Sequence, residues 1–215
     1  NRLVTLTGSG GVGKTRLSLQ VAEAVLGDYA DGVWLVELAA LADPALVAQA
    51  AAGVLGVREE PSRPIEDMLS AWLRERQALL VLDNCEHLLA ACARLAEGLL
   101  RTCPRLRILA SSREPLGVAG EAVSLVPSLP FPDRDSLPAT DRLLDYTAVR
   151  LFVDRARLVR PDYQAAEHNA SSLARICQRL DGIPLAIEMA AARVNLLTAE
   201  QLADRLDDAF HLLSG

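Results

Sequence analysis

The chain contains very little lysine. Lys14 is the single lysine among 215 residues, whereas arginine supplies the other 21 of the 22 basic side chains. Acidic residues are in excess, and the net charge of −6 argues against nucleic-acid binding by this segment through bulk electrostatics. No apolar run approaches the roughly 20 residues that span a bilayer, and no signal peptide is visible. The four cysteines form no C-x-x-C pair. We therefore expect a cytoplasmic protein with buried, reduced thiols and no membrane contact.

The single lysine lies in a motif that is typical of phosphate binding. The octapeptide GSGGVGKT at residues 8–15 satisfies G-x-x-x-x-G-K-[ST] at every specified position. Its glycines let successive backbone N–H groups face an anion, and a compact ammonium fits between phosphates better than a planar guanidinium. The Thr15 hydroxyl suits Mg²⁺. The motif predicts binding of ATP or ADP with Mg²⁺. The predicted nucleotide-binding residues here are Gly8, Ser9, Gly10, Gly11, Val12, Gly13, Lys14, Thr15 and Arg16.

Strands and helices alternate around this motif. A β-branched run at residues 2–7 predicts a strand before it. The pattern after Lys14 predicts a helix with Leu17, Val21, Ala24 and Val25 on its apolar face. Further strands are predicted at residues 32–38, 78–84, 106–111 and 122–126, and helices at 44–55, 65–76 and 86–100. Alternation of this kind predicts an α/β fold, the doubly wound parallel sheet of P-loop NTPases.

Asp83 is the second candidate site residue. It ends a continuous apolar run, ALLVL, that is typical of a central parallel strand, and a carboxylate there could hold the Mg²⁺ hydration shell. The next residue is Asn84, which cannot accept a proton from the attacking water. Glu86 lies close enough to take that role, although an acidic residue in the first turn of a helix is equally well explained by the helix dipole. The sequence therefore predicts slow hydrolysis.

Arg113 is the third candidate. It follows the predicted strand at residues 106–111, and ligands of open α/β sheets bind at the carboxyl ends of the strands. A cation there could contact the γ-phosphate and so distinguish ATP from ADP. The alternative is a solvated surface arginine.

A proline-rich, polar stretch separates the α/β region from a purely helical one. We predict a nucleotide-binding domain at residues 1–130, a linker at 131–144 and a small all-helical domain at 145–215. Within the helical domain, Gly182 is a candidate helix C-cap and Pro184 opens the next helix. Thr198 is the predicted N-cap of the last helix, through Leu206.

Taken together, four segments resemble the NB-ARC subgroup of signal-transduction ATPases with numerous domains, the STAND class. They are LVTLTGSGGVGKTRL at 3–17, LLVLDNCEHL at 79–88, ILASSREPL at 108–116 and LDGIPLAIEMAA at 180–191, in the same order. The resemblance is greatest to the ATPase module of bacterial transcriptional regulators with SARP-type or LuxR-type DNA-binding domains.

The resemblance implies an ATP/ADP switch. Arg113 would match the sensor arginine, and Pro184 the GxP proline that packs near the nucleotide. The ATP state would self-associate, hydrolysis would reset the switch, and DNA would be bound only by domains outside this chain. Because the family's adenine-holding segment and winged-helix domain are not found here, the chain is expected to be the core of a longer protein.

Two other functions are compatible with the motifs. A P-loop kinase would need a lid rich in basic residues, which the sequence does not show. A catalytically inert nucleotide-binding scaffold would keep the fold for protein contacts, with Asn84 marking lost catalysis.

Overall fold

The computed structural model describes residues 1–133 and 139–213, which form two units, Asn1–Val126 and Pro127–Gly215. The α/β unit contains β1 (Leu3–Thr7), α1 (Lys14–Ala24), β2 (Val33–Glu37), α2 (Val47–Leu55), α3 (Ile65–Leu73), β3 (Leu79–Asp83), α4 (Leu89–Thr102), β4 (Arg107–Ser111) and β5 (Glu121–Leu125). The helical unit contains α5 (Thr147–Val159), α6 (Glu167–Arg179), α7 (Pro184–Ala191) and α8 (Ala199–Leu213). No helix in the described ranges is long and apolar enough to cross a membrane.

The α/β unit is built on one five-stranded sheet with the order β2-β3-β4-β1-β5. Every pair of neighbouring strands is parallel. The carboxyl ends of all five strands therefore lie at one edge of the sheet, where ligands of such folds bind. Because β4 lies between β1 and β3, the segment after β1 and the segment after β3 are separated by the width of one strand.

Two apolar clusters cover the sheet. On β3, Leu80 and Leu82 pack into a large cluster that includes α2, α3 and α4, whereas Leu79 and Val81 point into a smaller one that includes α1. Successive side chains of a strand face opposite sides, so β3 is buried throughout, as a central parallel strand requires. The predicted fold class, a parallel P-loop NTPase sheet with flanking helices, is confirmed.

The buried face of α1 differs from the predicted one. Lys14 and Ser18 are buried on this helix, and Ala22 packs against the smaller cluster. Of the predicted face, Leu17, Val21 and Ala24 are exposed, and only Val25, just after the helix, packs against that cluster. The face of α1 with the small residues Ser18 and Ala22 therefore packs on the sheet. The prediction from apolar periodicity was wrong for most of the helix, because it did not consider side-chain size.

The helical unit begins before the predicted linker. Leu129 and Phe131 pack against its core, and the Leu129 N–H donates a 2.9 Å hydrogen bond to the Gly182 carbonyl. Residues 140–145, also within the predicted linker, form a 3₁₀-helix whose Leu143 is fully buried. Residues 134–138 of that linker and residues 214–215 lie outside the described residues.

Local hydrogen bonds explain two helix boundaries of this unit. After α6, the N–H of Gly182 donates to the Cys177 carbonyl and the N–H of Asp181 to that of Gln178, a Schellman motif in which Asp181 takes the left-handed conformation. Thr198 caps α8 reciprocally with Gln201, as predicted. The helix then continues to Leu213, beyond the predicted end at Leu206.

Ion pairs join α8 to α6. Arg175 donates hydrogen bonds to Asp204 and Asp207, and Arg179 also pairs with Asp207. Hydrogen bonding to Arg175 is the main cause that lowers the pKa of Asp207 below its ordinary value, with Arg179 contributing to the same effect.

Candidate functional site

The loop between β1 and α1 needs glycine at specific positions. Gly8, Gly11 and Gly13 have φ of 142°, 80° and 98°, in the left-handed region that other residues rarely adopt. A Cβ on Gly8 would also lie 2.7 Å from the Val126 carbonyl oxygen, so close packing of the backbone excludes a side chain there. Gly13 starts α1 without any side-chain cap, and the first turn contains no acidic residue. The first N–H groups of α1 are therefore left for another acceptor.

Lys14 lies inside this loop. Its side chain is buried, and its Nζ donates hydrogen bonds to the carbonyls of Gly8 at 2.8 Å and Ser9 at 3.1 Å. The ammonium is thus held in the loop by backbone dipoles that carry no full negative charge.

Asp83 lies at the carboxyl end of β3 with both carboxylate oxygens hydrogen-bonded. Thr15 Oγ1 donates to Oδ2 at 3.0 Å, and Ser111 Oγ donates to Oδ1 at 2.5 Å. Asp83 is almost fully buried, while Thr15 is exposed at the start of α1. The structure therefore brings together the lysine, hydroxyl and carboxylate that the sequence assigned to the phosphates and Mg²⁺.

Ser111 is a site residue that sequence reasoning missed. Besides donating to Asp83, its hydroxyl accepts a 2.9 Å hydrogen bond from the N–H of Asn84, which adopts a left-handed conformation with φ of 66°. Ser111 lies on β4, the strand between β3 and β1. Its polar character at the end of a buried apolar strand was the available signal, but strand order decides that it contacts Asp83.

Glu86 and Arg113 form an ion pair beside the loop. Arg113 Nε lies 3.3 Å from Glu86 Oε1, and a Cβ added to Gly10 would lie 3.7 Å from an Arg113 terminal nitrogen. Arg113 is largely exposed at 67%, while Glu86 is 18% exposed and its Oε2 is buried without a hydrogen-bond partner. Arg113 is therefore next to the loop where a phosphate would bind.

The remaining predicted residues are placed as follows. Ser9, Gly10 and Arg16 are exposed and Val12 is buried under the loop. Pro184 belongs to the helical unit, where it is the first residue of α7, and its predicted contact with nucleotide stays a prediction.

These residues fit a nucleotide with a divalent cation. Uncapped N–H groups and a buried ammonium suit phosphate oxygens, and the Thr15–Asp83 pair supplies hard oxygen ligands. Among the described residues no group of three acidic, histidine or cysteine side chains could hold a metal ion. Mg²⁺ ordinarily binds with one or two protein ligands, substrate phosphates and water, so this donor set suits a cation that arrives with a nucleotide.

Cys85 follows Asn84 but is not suited to nucleophilic chemistry. The thiol is fully buried, and a hydrogen bond with Cys92, together with burial, raises its pKa, which keeps it protonated. The four cysteines are free and buried, as predicted.

The chain is similar to several bacterial proteins. It is 49% identical over 215 residues to a "Putative HTH-type transcriptional regulator" of Mycobacterium tuberculosis, and to another so named from Mycobacterium bovis. It is 42% identical over 214 residues to an uncharacterized protein of M. tuberculosis. All of this chain is covered in each case, but it spans only 23% of the regulators and 51% of the uncharacterized protein. No family model matches the chain.

Solved structures share its fold at low identity. A STAND protein with a tetratricopeptide repeat sensor from Pyrococcus horikoshii aligns with a TM-score of 0.55, at 14% identity over 95% of this chain and 29% of that one. The Aeropyrum pernix ORC2 protein, in ADPNP and ADP complexes, gives 0.55 at 13% identity over 96% of this chain and 61% of its own. Cdc6p from Pyrobaculum aerophilum gives 0.56 at 18% identity, covering 94% and 56%. The chain therefore has the fold of P-loop ATPases.

Proposed function

We propose that the chain is an ATP/ADP-binding switch module that hydrolyses ATP slowly and controls the conformation and oligomerisation of a larger regulatory protein. One observation carries the proposal. Asp83, 68 residues further along the chain, meets Thr15 and the Lys14 loop at the carboxyl edge of the sheet, and Arg113 lies next to the same loop.

Each residue then has a defined task. The loop amides and Lys14 hold the phosphates, and Thr15, with Asp83 acting through water, holds Mg²⁺. Arg113 carries the only cation in the described part of this edge that is both exposed and beside Gly10. It is therefore the group best placed to bind a γ-phosphate, which ADP lacks, and to produce the differential affinity that a switch requires.

Slow turnover follows from the residues after Asp83. Asn84 has no carboxylate, and its N–H is committed to Ser111. Glu86 is the acidic side chain that remains beside the loop, and its ion pair with Arg113 occupies one of its oxygens.

The larger context rests on the relatives. The name of the M. tuberculosis relative describes a transcriptional regulator of the HTH type, and this chain spans about a quarter of it. We propose that DNA binding belongs to other parts of such a protein and that this module, in its ATP state, promotes self-association. Resemblance to the NB-ARC modules supports the same assignment.

Calorimetric titration of the nucleotide-free chain with Mg-ATP and Mg-ADP tests the proposal. We expect both to bind, with clearly different affinities, and Lys14→Ala to lose at least about tenfold in affinity for both. Arg94→Ala, which removes one exposed positive charge from α4, is the matched control and should bind as the wild type does. Equal affinities for ATP and ADP would refute the switch, and unchanged affinity in Lys14→Ala would refute the site.

A catalytically inert scaffold is the second candidate, and Asn84 is the observation that favours it. The two candidates differ in turnover. Hydrolysis that is measurable in the wild type and lost in Asp83→Ala supports the switch, whereas nucleotide binding without any turnover supports the scaffold.

A further inference from the structure

Arg113 pairs with the Glu86 carboxylate, of which only one oxygen is left unburied. Glu86 Oε2 is buried and has no hydrogen-bond partner, and Oε1 receives the Arg113 Nε–H at 3.3 Å. Burial closes Oε2, so the guanidinium engages the one carboxylate oxygen that remains for a water molecule.

Arg113 also lies within reach of the loop that is proposed to hold phosphates. Its guanidinium lies close enough to Gly10 that a methyl group there would be 3.7 Å from a terminal nitrogen. The side chain is 67% exposed, so it can reorient without crossing a packed interior. Gly10 is part of the loop proposed to hold phosphates, and a phosphate bound there competes with Glu86 for one guanidinium.

We propose that Glu86 is the general base and that Arg113 keeps it blocked until a γ-phosphate is bound. This inference rests on the proposed function, because it needs ATP in the loop. When Arg113 contacts the γ-phosphate it leaves Glu86, and Oε1 becomes available to a water molecule. The arginine thus couples γ-phosphate recognition to exposure of the base, and ADP leaves the base blocked.

The reaction balances without any further reactant. Glu86 Oε1 accepts one proton from the water whose oxygen bonds to the γ-phosphorus. The bond between the γ-phosphorus and the bridging oxygen breaks, and ADP leaves with that electron pair. Glu86 then returns its proton to solvent or to the phosphate product, and Arg113 pairs with it again.

The competition has a measurable signature in binding. Ion pairs between exposed side chains are weak, so removing the Glu86 charge should improve ATP affinity by about two- to fivefold. ADP affinity should not change, because ADP does not recruit Arg113. The gain must disappear when Arg113 is absent.

The experiment is a double-mutant cycle on the whole chain. Affinities for a non-hydrolysable ATP analogue and for ADP, each with Mg²⁺, are measured by calorimetry for wild type, Glu86→Gln, Arg113→Gln and the double variant. Glu114→Gln, which removes the same charge from an exposed neighbour of Arg113, is the matched control. We expect a gain for the analogue in Glu86→Gln only, and single-turnover hydrolysis at least about 100-fold slower in that variant.

The outcomes distinguish a failure of the blocked base from a failure of the proposed function. If the wild type binds the analogue and ADP with different affinities, and the ratio of the two affinities is the same in Glu86→Gln, the blocked base is refuted but the switch is not. A gain that persists in the Arg113→Gln background, or that Glu114→Gln reproduces, refutes the coupling through Arg113. A wild type that binds neither nucleotide refutes the proposed function and the blocked base together.

Discussion

Replacing Ser111 by alanine tests the hydrogen-bond network that holds Asp83 at the edge of the sheet. The Ser111 hydroxyl is buried, donates to Asp83 at 2.5 Å and accepts from the Asn84 N–H at 2.9 Å. Ser111→Ala removes both hydrogen bonds, and burial leaves little room for water to replace them.

The two hydrogen bonds set the expected loss. A hydrogen bond to a charged group contributes about 1.5–3 kcal/mol and a neutral one about 1 kcal/mol. We therefore expect the free energy of unfolding of the α/β unit to fall by about 2–4 kcal/mol. Ser112 is the matched control, because it is also buried and its hydroxyl accepts only a long, 3.4 Å hydrogen bond from the Glu114 N–H. Ser112→Ala should lose less than about 1 kcal/mol.

Urea unfolding followed by tryptophan fluorescence measures this difference, because the signal reports on the α/β unit. Both tryptophans of the chain, Trp34 and Trp72, lie in the α/β unit, where their rings make an edge-to-face contact at 5.9 Å. The expected result is a lower midpoint in Ser111→Ala with an unchanged m-value. Equal midpoints for the Ser111 and Ser112 variants would show that Ser111 does not hold Asp83, and the reasoning would be wrong.

Two other changes test the loop and the helical unit. Gly8→Ala should destabilise the α/β unit by at least about 2 kcal/mol in the same assay, because its Cβ meets a backbone oxygen at 2.7 Å and φ is left-handed. The control is Gly53→Ala on α2, where the added Cβ meets nothing and the α/β unit should be stabilised by about 0.5–1 kcal/mol. A loss of stability in Gly53→Ala as large as in Gly8→Ala would show that the close contact at Gly8 is not the cause. Asp207 has a lowered pKa, chiefly through Arg175, so its contribution to stability is present above about pH 4 and disappears as pH falls through the lower folded value. Circular dichroism melts should therefore show Asp207→Asn less stable than wild type by about 1 kcal/mol at pH 7 and equally stable near pH 2. The control, Asp208→Asn at an exposed position, should stay close to wild type at both pH values. A difference in stability between Asp207→Asn and wild type that persists at low pH would exclude the ion pair as its cause.

Whether a segment forms a strand or a helix could be predicted from the pattern of neighbouring residues. The continuous apolar run before Asp83 is a fully buried central strand, as its composition predicted. Asp43 directly precedes the helix predicted at residues 44–55, and its side chain caps the first turn by accepting the Ala45 N–H at 2.9 Å. Such features depend on a few neighbouring residues, so the sequence contains all the information that they need.

Other features depended on partners that are distant along the chain. Leu17 and Val21 have helical spacing but lie on the exposed face of α1, because the face with small side chains packs on the sheet. Leu129 was predicted to belong to the α/β domain and Phe131 to the linker, yet both pack against the core of the helical unit, where Leu129 hydrogen-bonds to Gly182. Which apolar face is buried, and to which unit a proline-rich segment belongs, are questions of long-range contact.

The sequence by itself determined the chemistry of the candidate site. A glycine pattern with one lysine predicts an anion-binding loop, since backbone torsions and side-chain type are properties of single residues. Only the tertiary structure decided the arrangement. Strand order places Ser111 between Asp83 and the loop, and the ends of β3 and β4 bring Glu86 to Arg113, 27 residues apart. Pairing between parallel strands is non-local, so no local pattern specifies which side chains meet at the edge of the sheet.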